Sequence, residues 1–339
     1  MRAVKKRWQF WIGLVISAIF LWWALKGLVL ADVMQALQGL NYWWLVPAIA
    51  VYFVGVWVRT WRWHYLLRPI KAISTASLFP IVCIGYAANN IFPARAGEVL
   101  RAIVLKRHEG VAISASLATI IVERVYDGVV MLAFVFVNLT ELAKLTGASG
   151  FVGDIRTLAI IGTMAFLGAL GVFLLAAMFP ERTLSITSLI TQRLVPQRYR
   201  EQVLDLTGKF LGGLAALRSP REALMIFLTS VVIWLIETIK YWLLMHAFPF
   251  EVTFFTLMLM NGISNLVTTI PSAPGYIGTF DASGIAVLTA FGVERTLAAV
   301  YTLVLHAALW FPITALGLYY MAREGISWST DLDKARAEG

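Results

Sequence analysis

The side chains in this sequence best suited to chemistry are charges set inside apolar sequence. Glu123, Arg124 and Asp127 lie near the middle of an apolar run over residues 112–138. At the centre of a membrane helix each such charge costs roughly 2.5 to 3.5 kcal/mol, so it is kept with partners or for a function. Glu123 and Asp127 are four apart on one helix face, and Arg124 is three from Asp127. The cluster can therefore partly neutralise itself as a structural knot, or line a polar path. Glu237 and Lys240 repeat the pattern at i, i+3 in a second apolar run. There Lys240 either snorkels to the outer interface on its long stem or joins the same path. Asp281 opens a helix, where a carboxylate is favourable as a dipole partner alone. His306, in the last apolar run, is able to titrate near neutrality or to serve as a hydrogen-bonded packing residue.

A second kind of chemistry, anion binding, is written in two breaks. In the first, Asn89-Asn90-Ile91-Phe92-Pro93-Ala94-Arg95-Ala96-Gly97-Glu98 interrupts the apolar stretch from Ser77 to Leu105. Pro93 and Gly97 end one helix and begin the next, turning the free N–H groups of the second helix toward the interior, where a phosphate is favoured. Arg95 sits in this tip beside Glu98, and Arg101 lies about a turn further on, so two cations can flank one phosphate. Asn89 and Asn90 either contribute to that site or satisfy backbone groups freed by the break. In the second break, Pro271, Pro274, Gly275 and Gly278 interrupt the stretch from Thr253 to Ala290. They bring no charge, only exposed amides and close approach.

Composition says what must hold these residues. Of 339 residues, 60% are apolar and 14% charged, against roughly 45–50% and about 25% in soluble domains. The expected fold is an all-α polytopic membrane protein. Six stretches, over 10–30, 42–63, 112–138, 157–179, 223–248 and 296–321, are long enough to cross about 30 Å of hydrocarbon. The basic start Arg2, Lys5, Lys6, Arg7 leads into an apolar run with no small-residue cleavage site, so the first span is expected to stay. One cysteine, Cys83, and four dispersed histidines predict no metal, and no cofactor is expected. The net charge of +9 is spread between apolar runs, which argues for membrane anchoring and against nucleic acid. No Walker loop, nucleophile elbow or zinc motif is present.

Lys and Arg accumulate on cytoplasmic loops. With both broken stretches folded back as re-entrant hairpins and the N-terminus inside, most Lys and Arg fall on one side, with Arg59, Arg62, Arg95 and Arg101 counted there. With both as full spans, the two sides are equal. Six spans plus two re-entrant hairpins is therefore the expected topology, with both termini cytoplasmic in the cell (inner) membrane. It also predicts an inverted repeat of residues 1–138 against 157–321, a recurring transporter design. In one register Gly110-Val111 aligns with Gly292-Val293 and Arg124 falls opposite His306. Residues 181–222 mix charge with spaced apolar residues and predict cytoplasmic amphipathic helices on the membrane surface, with a soluble helical hairpin as the alternative.

Taken in order, the Asn89-to-Arg101 tip, Glu123-Arg124 with Asp127, and Pro271, Pro274-Gly275, Gly278 resemble the lysylphosphatidylglycerol synthase transmembrane family over nearly the whole chain. That family includes the flippase domains of multiple-peptide-resistance factors and stand-alone flippase-like proteins of bacteria and archaea. The resemblance implies a transporter, not an enzyme, that moves an anionic or aminoacylated phospholipid between leaflets. Two departures stand out: Tyr276 replaces a glycine common after Pro-Gly, and no aminoacyl-transferase domain follows, so synthase activity is not expected. Partners are then a membrane phospholipid, with a homo-oligomer and a separate lipid-modifying enzyme left open. Two other classes use the same residues: an ion-coupled small-solute transporter, and a membrane enzyme acting on a lipid-linked substrate. The outer loop 139–156 offers the enzyme only Glu141 and Asp154.

Overall fold

A computed structural model of the chain describes residues 15–23, 25–92, 95–138, 164, 167–269 and 272–325. Pro93 and Pro271 fall outside these residues, as do Glu141 and Asp154. The described residues are almost entirely helical, and the protein is a helical membrane protein. Residues 15–23 are helical (α1) and lead to a short helix that the sequence reading did not anticipate, α2 (Leu30–Gln38). Then follow α3 (Leu45–Leu67), α4 (Thr75–Ile91), α5 (Ala96–Glu109) and α6 (Ile113–Val137). The second half contains α7 (Leu167–Met178), α8 (Pro180–Leu194), α9 (Gln197–Gly213), α10 (Pro220–Met245), α11 (Phe254–Val267), α12 (Thr279–Ala290) and α13 (Arg295–Arg323).

Among the described residues, four helices are long enough for a bilayer. At 1.5 Å per residue the shortest of them, α3, is about 34 Å long. Three are also strongly apolar, namely Tyr42–Leu67, Pro220–Met245 and Arg295–Arg323, whereas α6 carries the three central charges. Side-chain ties define the ends of the bundle. At one end Arg68 meets Glu222 at 3.8 Å, Lys71 meets Glu109 at 2.8 Å and His108 meets Glu324 at 3.6 Å. At the other, the backbone N–H of Asn41 donates to the Ala247 carbonyl, and the rings of Phe248 and Phe250 pack on Tyr301. So α3 and α13 run one way, and α6 and α10 run the other.

The broken stretches each fold back. Lys71 and Glu109 bring the start of α4 beside the end of α5, so this pair opens toward the first end. The α11–α12 pair begins after Phe250 and closes at Ala290, so it opens toward the other end. Glycine permits the first fold: a Cβ on Gly97 would collide with the Gly85 carbonyl and with Asn89, so α4 and α5 can touch only at backbone distance. Packing between the halves is reciprocal, since α13 lies on α4 while α6 lies on α11.

A 103° bend at Phe179-Pro180 turns α7 into α8. The Pro180 ring fixes φ for the first turn of α8, and its missing N–H removes no helical bond there. Helices α8 and α9 then pair, with α9 resting on α6 through Gly213 against Ala115 and Ala118. Ile186, Leu189, Ile190, Leu194 and Leu206 remain exposed on them.

Two placements differ from the sequence reading. Arg59 and Arg62, counted with the cytoplasmic basic residues, do not reach that face: α3 continues to Leu67, and both are buried. Lys240 does not snorkel, because it is 2% exposed and ion-paired with Glu237.

Candidate functional site

The two folded-back tips meet in the middle of the molecule. The Arg95 guanidinium donates to the Thr268 carbonyl at 3.3 Å and lies 5.8 Å from the Tyr276 ring centre. The Trp310 indole donates to the Asn90 carbonyl, and the Asn90 amide donates to Thr314 Oγ1 at 2.8 Å, pinning the first tip to α13. Arg95 and Tyr276 are the non-glycine residues of positive φ among those described, at 52° and 61°. For L-residues this conformation costs roughly 1–2 kcal/mol, and such strain collects at functional sites. At Tyr276 a glycine would adopt that φ without cost, whereas the tyrosine accepts it and places its ring beside Arg95.

Around this junction lies a cavity of about 200 Å³. Its lining takes Tyr52 and Arg59 from α3, Tyr86, Asn89 and Asn90 from α4, and Arg124 and Asp127 from α6. It takes Glu237 and Lys240 from α10, Asn265 and Thr268 from the end of α11, and His306 and Trp310 from α13, besides Arg95, Gly275 and Tyr276 of the tips.

The charges form one connected network. Arg62 binds Asp127 in bidentate fashion, at 2.6 and 3.2 Å, and reaches Glu123 at 3.7 Å. Arg59 bridges Glu237 at 3.3 Å and Asp127 at 3.7 Å. Arg124 joins Glu98 at 3.1 Å and Asp127 at 3.6 Å. Arg95 meets Glu98 at 3.6 Å, Arg101 meets Glu123 at 3.0 Å, and Lys240 meets Glu237. Neutral donors complete it: Trp234 Nε1 donates to Asp127 at 3.0 Å, and the ring carries Arg59 at 4.8 Å. Six cations thus face four carboxylates. With each uncompensated charge costing roughly 2.5–3.5 kcal/mol at bilayer depth, a formal excess of two positive charges favours an anion.

The predicted site residues divide. Asn89, Arg95, Arg124, Asp127, Glu237, Lys240, Gly275 and His306 come together at the cavity. Arg101 does not flank it: the guanidinium stacks 3.6 Å from the Trp63 ring centre and pairs with Glu123 on the far side of the network. Nor is the start of α5 an open anion site. The Gly97 amide donates to Asn89 Oδ1 at 2.8 Å and the Glu98 amide to the Arg95 carbonyl, so Asn89 caps the break. Glu98 serves as the partner of Arg95 and Arg124, and Glu123 as the buried anchor of Arg62 and Arg101.

At the second tip, Gly278 N–H donates to Asp281 Oδ2 at 2.9 Å, an N-terminal cap. His306 Nε2 lies 2.7 Å from the Gly275 carbonyl, which can only accept, so Nε2 donates. Nδ1 lies 2.8 Å from Asp281 Oδ1, a contact that needs one more proton, on the ring or on the carboxyl. Helix α1 closes the tip from behind, as Ala273 N–H donates to Ser17 Oγ and Gly278 abuts the Ser17 carbonyl. Pro274 starts the short 3₁₀ turn of this tip.

Sequence reasoning missed Arg59 and Arg62 as site residues, together with Tyr52, Tyr86, Trp234 and Asn265. The signal for the arginines was there: they lie three apart, one helical turn, among Trp57, Trp61 and Trp63. Counting them with the basic residues of one membrane face hid it.

The family model for the lysylphosphatidylglycerol synthase transmembrane region matches residues 10–317. Glycosyltransferase AglD of Haloferax volcanii is 27% identical over 300 residues, which are 80% of this chain but 47% of AglD, so the chain spans about half of that protein. A UPF0104 membrane protein of Methanothermobacter thermautotrophicus is 26% identical over 337 residues, 94% of each chain. One of Pyrococcus horikoshii is 25% identical over 332 residues, 93% of this chain and 96% of its own. No solved structure matches.

Proposed function

Since the chain belongs to the lysylphosphatidylglycerol synthase transmembrane region family, we propose that it is a lipid flippase-like transporter, moving a phospholipid between leaflets with its head group passing the central cavity. The observation that carries this is the meeting of two folded-back tips at a buried, cation-rich cavity. The acyl chains stay in the bilayer while the phosphate meets Arg95, then the Arg59, Arg124 and Lys240 group.

The topology proposed with it has six spans and two re-entrant hairpins that enter from opposite faces. The reciprocal packing of the halves supports an inverted repeat of 1–138 and 157–321. So does a shared device: in each half an acid in the first turn of the return helix pairs with a basic side chain on the next long helix, Glu98 with Arg124 and Asp281 with His306. Alternating access then follows from one half moving against the other. Helices α8 and α9, with exposed leucine and isoleucine beside charges, lie along the membrane surface in this arrangement, on the side proposed as cytoplasmic.

A second reading, a membrane enzyme on a lipid-linked substrate, draws only on the name of AglD, of which this chain covers about half. Reconstitution separates the two. In liposomes holding a labelled phospholipid, the wild-type protein moves label between leaflets, and Arg95→Ala slows it by about tenfold, the loss of one charge-assisted contact. Equal transfer by both proteins, at a rate above empty liposomes, overturns the role given to Arg95. Transfer no faster than in empty liposomes overturns the transport reading.

A further inference from the structure

The way each carboxylate in the network is occupied narrows the head group. We infer that the cavity selects a phosphate dianion, the chemistry of a lipid phosphomonoester, and rejects aminoacylated head groups. This rests on the lipid-transport reading for the passage but not for the binding preference.

Every carboxylate of the network meets at least two cations. Asp127 contacts Arg59, Arg62 and Arg124, and Glu237 contacts Arg59 and Lys240. Glu123 contacts Arg62 and Arg101, and Glu98 contacts Arg95 and Arg124. Among the described residues Asp127 and Glu237 are the acids lining the cavity. Asp127 is met by three guanidiniums and the Trp234 indole, and Glu237 has a cation on each oxygen, so the negative charge of both is already compensated. Asp281, outside the lining, is taken by His306 and by the Gly278 amide.

The cations are in the opposite position. Arg95 has five N–H donors, against a carbonyl at 3.3 Å and a carboxylate at 3.6 Å. It sits where the tips join, so a bidentate phosphate contact is open to it. Arg59, Arg124 and Lys240 face the same space. A lysyl ester adds two ammonium groups to a phosphodiester and makes the head group a net cation, which meets an excess of two positive charges. An unsubstituted phosphodiester carries one negative charge and leaves one cation uncompensated. A phosphomonoester near neutrality brings nearly two, which matches the count.

Binding and transport test this separately, on the purified full chain. Thermal unfolding in detergent is followed against short-chain phosphatidic acid, phosphatidylglycerol, lysyl-phosphatidylglycerol and inorganic phosphate. The phosphatidic acid is expected to stabilise at concentrations about tenfold lower than phosphatidylglycerol, the effect of one further charge at close range. Lysyl-phosphatidylglycerol should stabilise least. Arg95→Gln should abolish the preference, and Arg95→Lys should restore part of it, with both variants first shown to be monodisperse and to unfold near the wild-type temperature. Stabilisation by lysyl-phosphatidylglycerol equal to that by phosphatidic acid overturns the inference. So does inorganic phosphate matching the lipid, which makes the ligand a free anion. The preference with no lipid movement in proteoliposomes upholds the inference and sinks the transport reading alone.

Discussion

At the scale of single residues, the network behaves as a unit because its members are buried and mutually dependent. Asp127 holds Arg62, Arg59 and Arg124 and accepts from Trp234. Replacing it by asparagine removes one charge and leaves three guanidiniums facing each other. Breaking a buried pair costs about 3–5 kcal/mol, so Asp127→Asn is expected to lower the unfolding midpoint sharply in detergent, where Asp205→Asn on exposed α9 leaves it near wild type. Gly97→Ala acts by shape. Its methyl meets the Gly85 carbonyl and the Asn89 side chain, and overpacking of this kind costs typically 1–3 kcal/mol. A loss of thermal stability that Gly110→Ala, where nothing lies within 4 Å of the added methyl, shows less of would separate collision from backbone strain.

At the scale of elements, the long helices are made by apolar length, and their ends by local polar chemistry. Glu294 caps α13, its side chain accepting from the amides of Thr296 and Leu297 at 2.8 and 2.9 Å. Slight burial pushes its carboxyl up, but those hydrogen bonds outweigh it and hold the group below its ordinary range. A carboxyl depressed by folding stabilises above its unfolded pKa and loses that contribution as pH falls through the folded value. The cap is solvent-exposed, so Glu294→Ala should cost about 0.5 kcal/mol near neutral pH. The gap from wild type should close below the carboxylate range, as read in melts at pH 7 and below pH 4. A gap unchanged across that span would show that the carboxylate charge is not what caps the helix.

Taken as a whole molecule, the arrangement is two hairpins opening to opposite ends and touching at their tips. Cysteine labelling in a Cys83→Ser background reads it directly. Ala72→Cys and Lys106→Cys flank the α4–α5 pair, and Glu251→Cys and Thr289→Cys flank α11–α12. A membrane-impermeant maleimide is expected to reach the first two from one face only and the last two from the other. Labelling of Ala72→Cys and Lys106→Cys from opposite faces would mean that α4–α5 crosses the bilayer, and the inverted pairing of halves would fall with it.

What the amino-acid sequence determined alone was whatever run length and local chemistry control: the helical membrane class, the two breaks, and the carboxylates that need partners. Glu123, Asp127 and Glu237 were legible because a charge inside an apolar run is conspicuous whatever surrounds it. Partner choice was not legible, since ion pairs form across helices distant in sequence. Arg59, inside the apolar run 42–63, was counted with the cytoplasmic basic residues, yet packing buries it beside Glu237, 178 positions away. Arg101 looked like a phosphate ligand by its spacing from Arg95, yet its side chain points to Glu123 and Trp63. Direction around a helix relative to neighbours depends on packing, and packing is decided only when all the helices are in place.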